Sequence, residues 1–170
     1  MIAEGIAWFL LWLFAQGVFH KLSAPRYYQQ LMGRYLGTAV GTVAPFAAAL
    51  VEISIVVALL CADFRWAGLA AAAACLLAYA GLMAGQIFNG GAGMDCGCAG
   101  PQQGIGLDWA LVLRNGVCAG LALLAMSRAE HGAAGLWAAL ASALVALVAI
   151  ALYQVSGQII RHAQWMEGGD

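Results

Sequence analysis

Residues 94–98 read Met-Asp-Cys-Gly-Cys, three sulfur atoms within five positions of one glycine-rich loop, NGGAGMDCGCAGPQQGIG at 89–106. Cysteines two positions apart close a ring only through unusual backbone angles, and Gly97 supplies these without a side-chain clash. A strained disulfide is easily reduced, so Cys96 and Cys98 are candidates for a redox couple more than for a permanent staple. Reactivity also needs thiolate and access, and Gly90, Gly91, Gly93, Gly97 and Gly100 are expected to leave the sulfurs uncovered. Asp95 opposes reactivity, because a neighbouring negative charge raises a thiol's pKa. Two other readings stay open. Met94, Cys96 and Cys98 form a soft donor set suited to Cu(I), whereas a closed zinc site would need a fourth ligand. His20 and His162 are lone residues that fit the interface better than a metal. Alternatively, the cysteines form an inert disulfide or are simply small loop residues.

The surroundings that position this loop are lipid-like. The 170-residue chain is 64% hydrophobic and 9% charged, with mean hydropathy +0.87. A soluble domain has about 45–50% apolar and about 25% charged residues. These figures exclude disorder and a secreted disulfide scaffold. A net charge of −1 provides no basic face for nucleic acid. Apolar runs at about 5–20, 44–61, 66–88, 109–126 and 135–158 predict an all-α integral membrane protein with four to five transmembrane helices. A span needs roughly 20 residues, with about 17–25 as the usual range. Five spans are the preferred reading, the first run being marginal. Nothing basic precedes that run and no small-residue cleavage site follows it, so it is not read as a signal peptide. The alternative is four spans with a peripheral first helix.

Five spans place the 21–43 connection, the 89–108 loop and the C-terminal tail on one face. Lys21, Arg26, Arg34 and Arg161 lie on that face, against Arg65 and Arg128 on the other, so charge counting points the loop toward the cytoplasm. The 21–43 segment mixes Tyr27, Tyr28 and Tyr35 with basic residues, which suits an interfacial helix or an anchored connecting loop. Gly81 with Gly85 and Gly116 with Gly120 are small-xxx-small pairs, expected to let the third and fourth spans pack closely as a hairpin with the loop at its tip. Cys75 and Cys118 fall mid-span, where cysteine usually behaves as a small hydrophobe.

Glu52 and Arg114 are ionisable groups inside apolar runs, which is costly unless they are paired or functional. At ~1.5 Å per residue they lie ~10 and ~8 Å below the loop face. Matched depth predicts a Glu52–Arg114 ion pair, serving either helix register or a proton or quinone-headgroup site. Asn115 and Gln86 would add hydrogen-bonding groups there.

Taken together, His20-Lys21-Leu22, APFAAALVE at 44–52, MDCGCAG at 94–100 and LVLRNG at 111–116 resemble the methylamine utilisation MauE family of DoxX-like membrane proteins. The resemblance covers about residues 1–126. Ala99 departs from it, standing where the family is expected to carry an aromatic residue. The resemblance implies a bacterial inner-membrane protein that works with a thioredoxin-like periplasmic partner (MauD-like) to mature the disulfide-rich small subunit of methylamine dehydrogenase. Such a role would need the exposed thiol pair Cys96 and Cys98, with Glu52 and Arg114 coupling it to protons or a quinone. Disulfide chemistry on an exported protein calls for a periplasmic loop, and this outweighs the charge count because the 21–43 residues are interfacial. A copper-handling protein and a non-catalytic docking scaffold are the rivals.

Overall fold

The structure is a computed structural model that describes residues 1–97, 105–128 and 135–167. Its long helices are α1 (Ile2–Ser23), α4 (Ala44–Leu60), α5 (Arg65–Phe88), α6 (Trp109–Ser127) and α7 (Leu136–Glu167). Two shorter ones, α2 (Pro25–Leu36) and α3 (Thr38–Gly41), link α1 to α4. Among the described residues every regular element is helical, apart from one isolated antiparallel bridge between Asp95 and Gly106.

Four helices are long and apolar enough to cross a membrane: α1, α5 with its leading turn, α6 and α7. The first run, marginal over 5–20, gains Ile2 and Ala3 and continues to Ser23, so that α1 extends over 22 residues and is a full-length candidate rather than a peripheral helix. The shorter apolar helix is α4, at 17 residues, which begins where Pro45 supplies a preset φ and needs no donor in the first turn. α7 continues past the expected end at 158 as far as Glu167, so the last span carries a polar extension.

α1 is the hub. It packs against α4, α6 and α7, while α5 bridges α4 and α6. The core is built from Phe9, Leu10 and Phe14 of α1, Ile55 and Leu59 of α4, Leu69, Ala72 and Leu76 of α5, and Ala119, Ala122 and Ala125 of α6. The two ends are separately tied. At one end Glu4 lies 3.8 Å from Arg65 and accepts from Ser142 at 3.4 Å. At the other end α2, the loop after α5 and the tail of α7 converge.

α5 and α6 form the expected hairpin, with Phe88 stacked edge-on against Trp109 at 5.2 Å across its base. The residues that make it differ from expectation. A Cβ on Gly81, Gly85, Gly116 or Gly120 would meet nothing within 4 Å, so these glycines do not mark the contact face. Alanines do that work, because with no partner-seeking side chain they bring two backbones close in lipid as glycine would. Between the long helices, a close approach that does require glycine is at Gly5, where a Cβ would lie 2.6 Å from Val145 Cβ and 2.7 Å from the Ser142 carbonyl oxygen.

Gly5→Leu should therefore separate α1 from α7 and lower the unfolding midpoint in detergent by several degrees. Gly116→Ala, which adds a methyl to open space and removes a helix-weakening glycine, should leave the midpoint unchanged or raise it. Thermal melts followed by circular dichroism read both, and a destabilised Gly116→Ala would return the contact to the glycine pair.

Candidate functional site

The loop that follows α5 is held from three sides. Its backbone folds on itself, with Cys96 N–H donating to the Ile105 carbonyl (3.0 Å), Gly93 N–H to Leu107 (3.0 Å) and Leu107 N–H to Met94 (2.6 Å). From α2, the Tyr35 hydroxyl donates to the Asp95 carbonyl at 2.8 Å and the Tyr28 hydroxyl to the Gly97 carbonyl at 2.9 Å. From α7, the Gln164 amide donates to the Gly106 carbonyl and accepts from its N–H, both at 2.9 Å. Asp108 then starts α6 by accepting from Trp109 N–H. The 21–43 segment is thus largely helical and folded onto the loop. Burial raises the Tyr28 phenol well above its ordinary pKa, and burial followed by the Asp95 carboxylate raises Tyr35. Both hydroxyls stay protonated and keep donating across the neutral range.

Gly97 has φ +70°, the left-handed conformation that glycine adopts freely. A Cβ there would also press on the tip of the Leu31 side chain, which would have to turn aside; the backbone conformation is what favours glycine.

Cys96 is disulfide-bonded. Cys98, Gly100 and Ala99 lie outside the described residues, while Cys61, Cys75 and Cys118 are free. The expected exposure of the sulfurs is corrected at Cys96, which is 8% exposed and packed with Met83, Ile105, Leu107 and Leu111. The glycines do shape the loop, but Tyr35 and the start of α6 roof it. Met94 lies over its own loop, its sulfur 3.1 Å from where a Gly91 Cβ would stand. Among the described residues no three His, Cys, Asp or Glu side chains cluster as a metal site.

Beneath Cys96 a cavity of about 120 Å³ opens between α1, α2, α4, α5, α6 and α7. Its walls are mainly apolar, and its polar end is built around Glu52. That carboxylate accepts from Lys21 Nζ at 2.8 and 2.9 Å and from the Tyr79 hydroxyl at 2.7 Å. Gly17 makes room, since a Cβ there would stand 3.3 Å from a Glu52 oxygen. Asn115 lines the same cavity, with its amide donating to the Met83 sulfur at 3.4 Å. Gln86 reaches the Tyr35 carbonyl at 3.3 Å.

The predicted Glu52–Arg114 pair does not form. On α6 the buried face runs through Leu111, Asn115, Cys118, Ala119 and Ala122, and Arg114 is turned off that face by one helical step of about 100°. Its guanidinium lies 4.4 Å from the Tyr153 ring centroid and 3.3 Å from where a Gly157 Cβ would be. Lys21 takes its place, a residue read from sequence only as an interfacial charge. The signal that could have found it is spacing: Leu13, Gly17 and Lys21 recur every four residues, so Lys21 shares the face of a glycine in the first span. Tyr28 and Tyr35 read from sequence only as interfacial anchors, while Tyr79 inside α5 and Gln164 beyond the expected end of the last span carry no spacing signal of their own.

The fold and the site define a multi-pass all-α membrane protein that carries a clamped, oxidised cysteine loop over an intramembrane cavity. The chain belongs to the methylamine utilisation protein MauE family, whose model matches residues 1–128, the bundle up to the end of α6. No curated protein and no solved structure matches the chain.

Lys21→Met alone leaves a buried carboxylate short of its cation and should cost about 3–5 kcal/mol of stability. Lys21→Met with Glu52→Gln should recover much of that loss. The same double-mutant cycle between Glu52 and Arg114 should give a coupling within about 0.5 kcal/mol of zero. Unfolding titrations in mixed micelles measure both, and strong Glu52–Arg114 coupling would contradict the pairing described here.

Proposed function

We propose that this protein is an inner-membrane thiol–disulfide exchange protein, in which Cys96 and Cys98 form the reacting couple and a thioredoxin-like periplasmic protein is the exchange partner. The observation that carries the reading is an oxidised Cys96 in a glycine-shaped loop held by side chains from two helices, α2 and α7. A loop needed only as a connection would not require Tyr28, Tyr35 and Gln164 all to bond its backbone. Family membership supports a place in methylamine utilisation, and the substrate of the relay would be an exported, disulfide-rich protein such as the methylamine dehydrogenase small subunit. On this reading the loop faces the periplasm.

The chemistry is an exchange of bonds. A partner thiolate attacks one sulfur of the couple, the couple's S–S bond breaks, and a mixed disulfide forms. The partner's second thiolate then breaks the mixed disulfide, leaving the partner oxidised and the membrane couple reduced. Because Cys96 is roofed by Tyr35 and α6, the encounter with a soluble partner falls to Cys98. The copper reading draws less support, because a disulfide-bonded sulfur offers no thiolate to a metal. The scaffold reading leaves the oxidised Cys96 without a role.

Cys96→Ser should accumulate a mixed disulfide between Cys98 and a thioredoxin-like protein, visible as a reducible adduct on a non-reducing gel and assigned by mass spectrometry. Cys98→Ser should give little or none. If neither variant captures a partner and both still support full maturation of the exported substrate, the exchange reading is wrong.

A further inference from the structure

A couple that oxidises its partner must itself be reoxidised, and the structure offers a place for the oxidant. Cys96 forms part of the wall of the cavity that also contains Lys21 and Asn115. Leu36 and Leu82 line the same cavity and are 41% and 45% exposed on the outer surface. The cavity is therefore reached from the side, between Leu36 at the end of α2 and Leu82 of the apolar helix α5. Its volume, about 120 Å³, is comparable to that of the engineered cavity of ~150 Å³ that admits a benzene ring. It is too small for a flavin or a nicotinamide dinucleotide.

The polar groups face this space with donors to spare. An ammonium has three N–H bonds, and Glu52 takes two of those on Lys21. Among the described residues the third meets no hydrogen-bond acceptor, only the faces of the Tyr28 and Tyr79 rings at 5.9 and 5.7 Å, contacts weaker than a carbonyl acceptor would offer. The Asn115 amide donates only to a thioether, a weak acceptor. Two donors on different helices, an apolar chamber one ring wide, a lateral entrance and a redox sulfur in the wall together specify a ligand. It is flat, lipid-soluble and bears two carbonyl acceptors. We propose that the cavity binds the ring of a membrane quinone, which takes the electrons from the reduced Cys96–Cys98 couple. Lys21 and Asn115 hold the two carbonyl oxygens, and Glu52 with Tyr79 fixes the Lys21 ammonium.

The step balances. Two S–H bonds break and one S–S bond forms. The two electrons and two protons released pass to the quinone oxygens, giving a quinol that leaves through the same opening. The inference rests on the exchange reading above, since it supplies the oxidant for that couple.

The test uses the full-length protein, reduced and freed of reductant, mixed anaerobically with decylubiquinone in detergent. The expected result is loss of one quinone for every two thiols oxidised, with saturable binding. Lys21→Met/Glu52→Gln leaves no buried charge unpaired, and Tyr79→Phe removes only a hydroxyl. Each should weaken binding, the double variant by about tenfold or more, the size expected when a charge-assisted hydrogen bond is lost. Melting curves confirm folding of each variant. Failure of decylubiquinone to oxidise the wild-type thiols, or equal binding by wild type and both variants, overturns the proposal. Exchange with the thioredoxin-like partner is read in parallel. If exchange persists while quinone oxidation fails, the cavity assignment falls alone. If quinone oxidises the couple but no partner exchanges, the exchange reading falls instead.

Discussion

Glu52 is 2% exposed in the middle of an apolar helix, and a charged carboxylate is tolerated there only with its charge and lone pairs answered. The answer comes from two other helices, an ammonium from α1 and a hydroxyl from α5. Satisfying this one group therefore fixes three elements in register. Gly17 must be small so that α1 can lie against the carboxylate, and Lys21 must point into the bundle, although a lysine at a helix end ordinarily extends to the interface. The cavity follows from this arrangement. The polar cluster occupies one end of the space between the helices, and the apolar remainder is left as a chamber.

The loop above the chamber is fixed by a different means. It has almost no regular structure, so its backbone groups need partners, and these come from its own residues, from two tyrosines of α2 and from Gln164 of α7. That division explains why α2 exists as a helix folded back on the bundle. Its face carries Tyr28 and Leu31 inward, the first to bond Gly97 and the second to occupy the place where any larger residue at 97 would need room.

Much of this was legible in the sequence, but in one coordinate more than in another. Hydropathy gave the helices and the polar loop between α5 and α6, because those depend on composition over many residues; the hairpin was expected for the wrong reason, on glycine pairs that do not make its contact. Depth was also legible: Glu52 and Arg114 do lie within the apolar helices. Azimuth was not. Asn115 and Arg114 differ by one position, yet one lines the cavity and the other stacks on Tyr153, and only the packing of α6 against its neighbours decides which. The glycine pairs failed for the same reason, since a small residue permits contact from any direction without saying which direction is used. Burial of Cys96 was illegible because its cover comes from Tyr35 and from Leu107 and Leu111, residues distant in sequence or on the far side of the loop.

That burial changes how the couple must work on the proposed function. An exposed vicinal pair would meet oxidant and reductant in the same water, and nothing would prevent adventitious thiols from short-circuiting it. With Cys96 walled toward the chamber, an oxidant seated there would reach the couple through that sulfur. On the proposed function, a soluble dithiol would exchange from the aqueous side and an apolar electron acceptor would act from the chamber. Glycine at 97 is the residue that lets so short a link turn between the two cysteines, since its φ of +70° is strained for any other L-residue. The same division accounts for the weight of hydrogen bonding on the loop. If the loop lifted away, Cys96 would lose its contact with the chamber, and the two half-reactions would no longer share a disulfide.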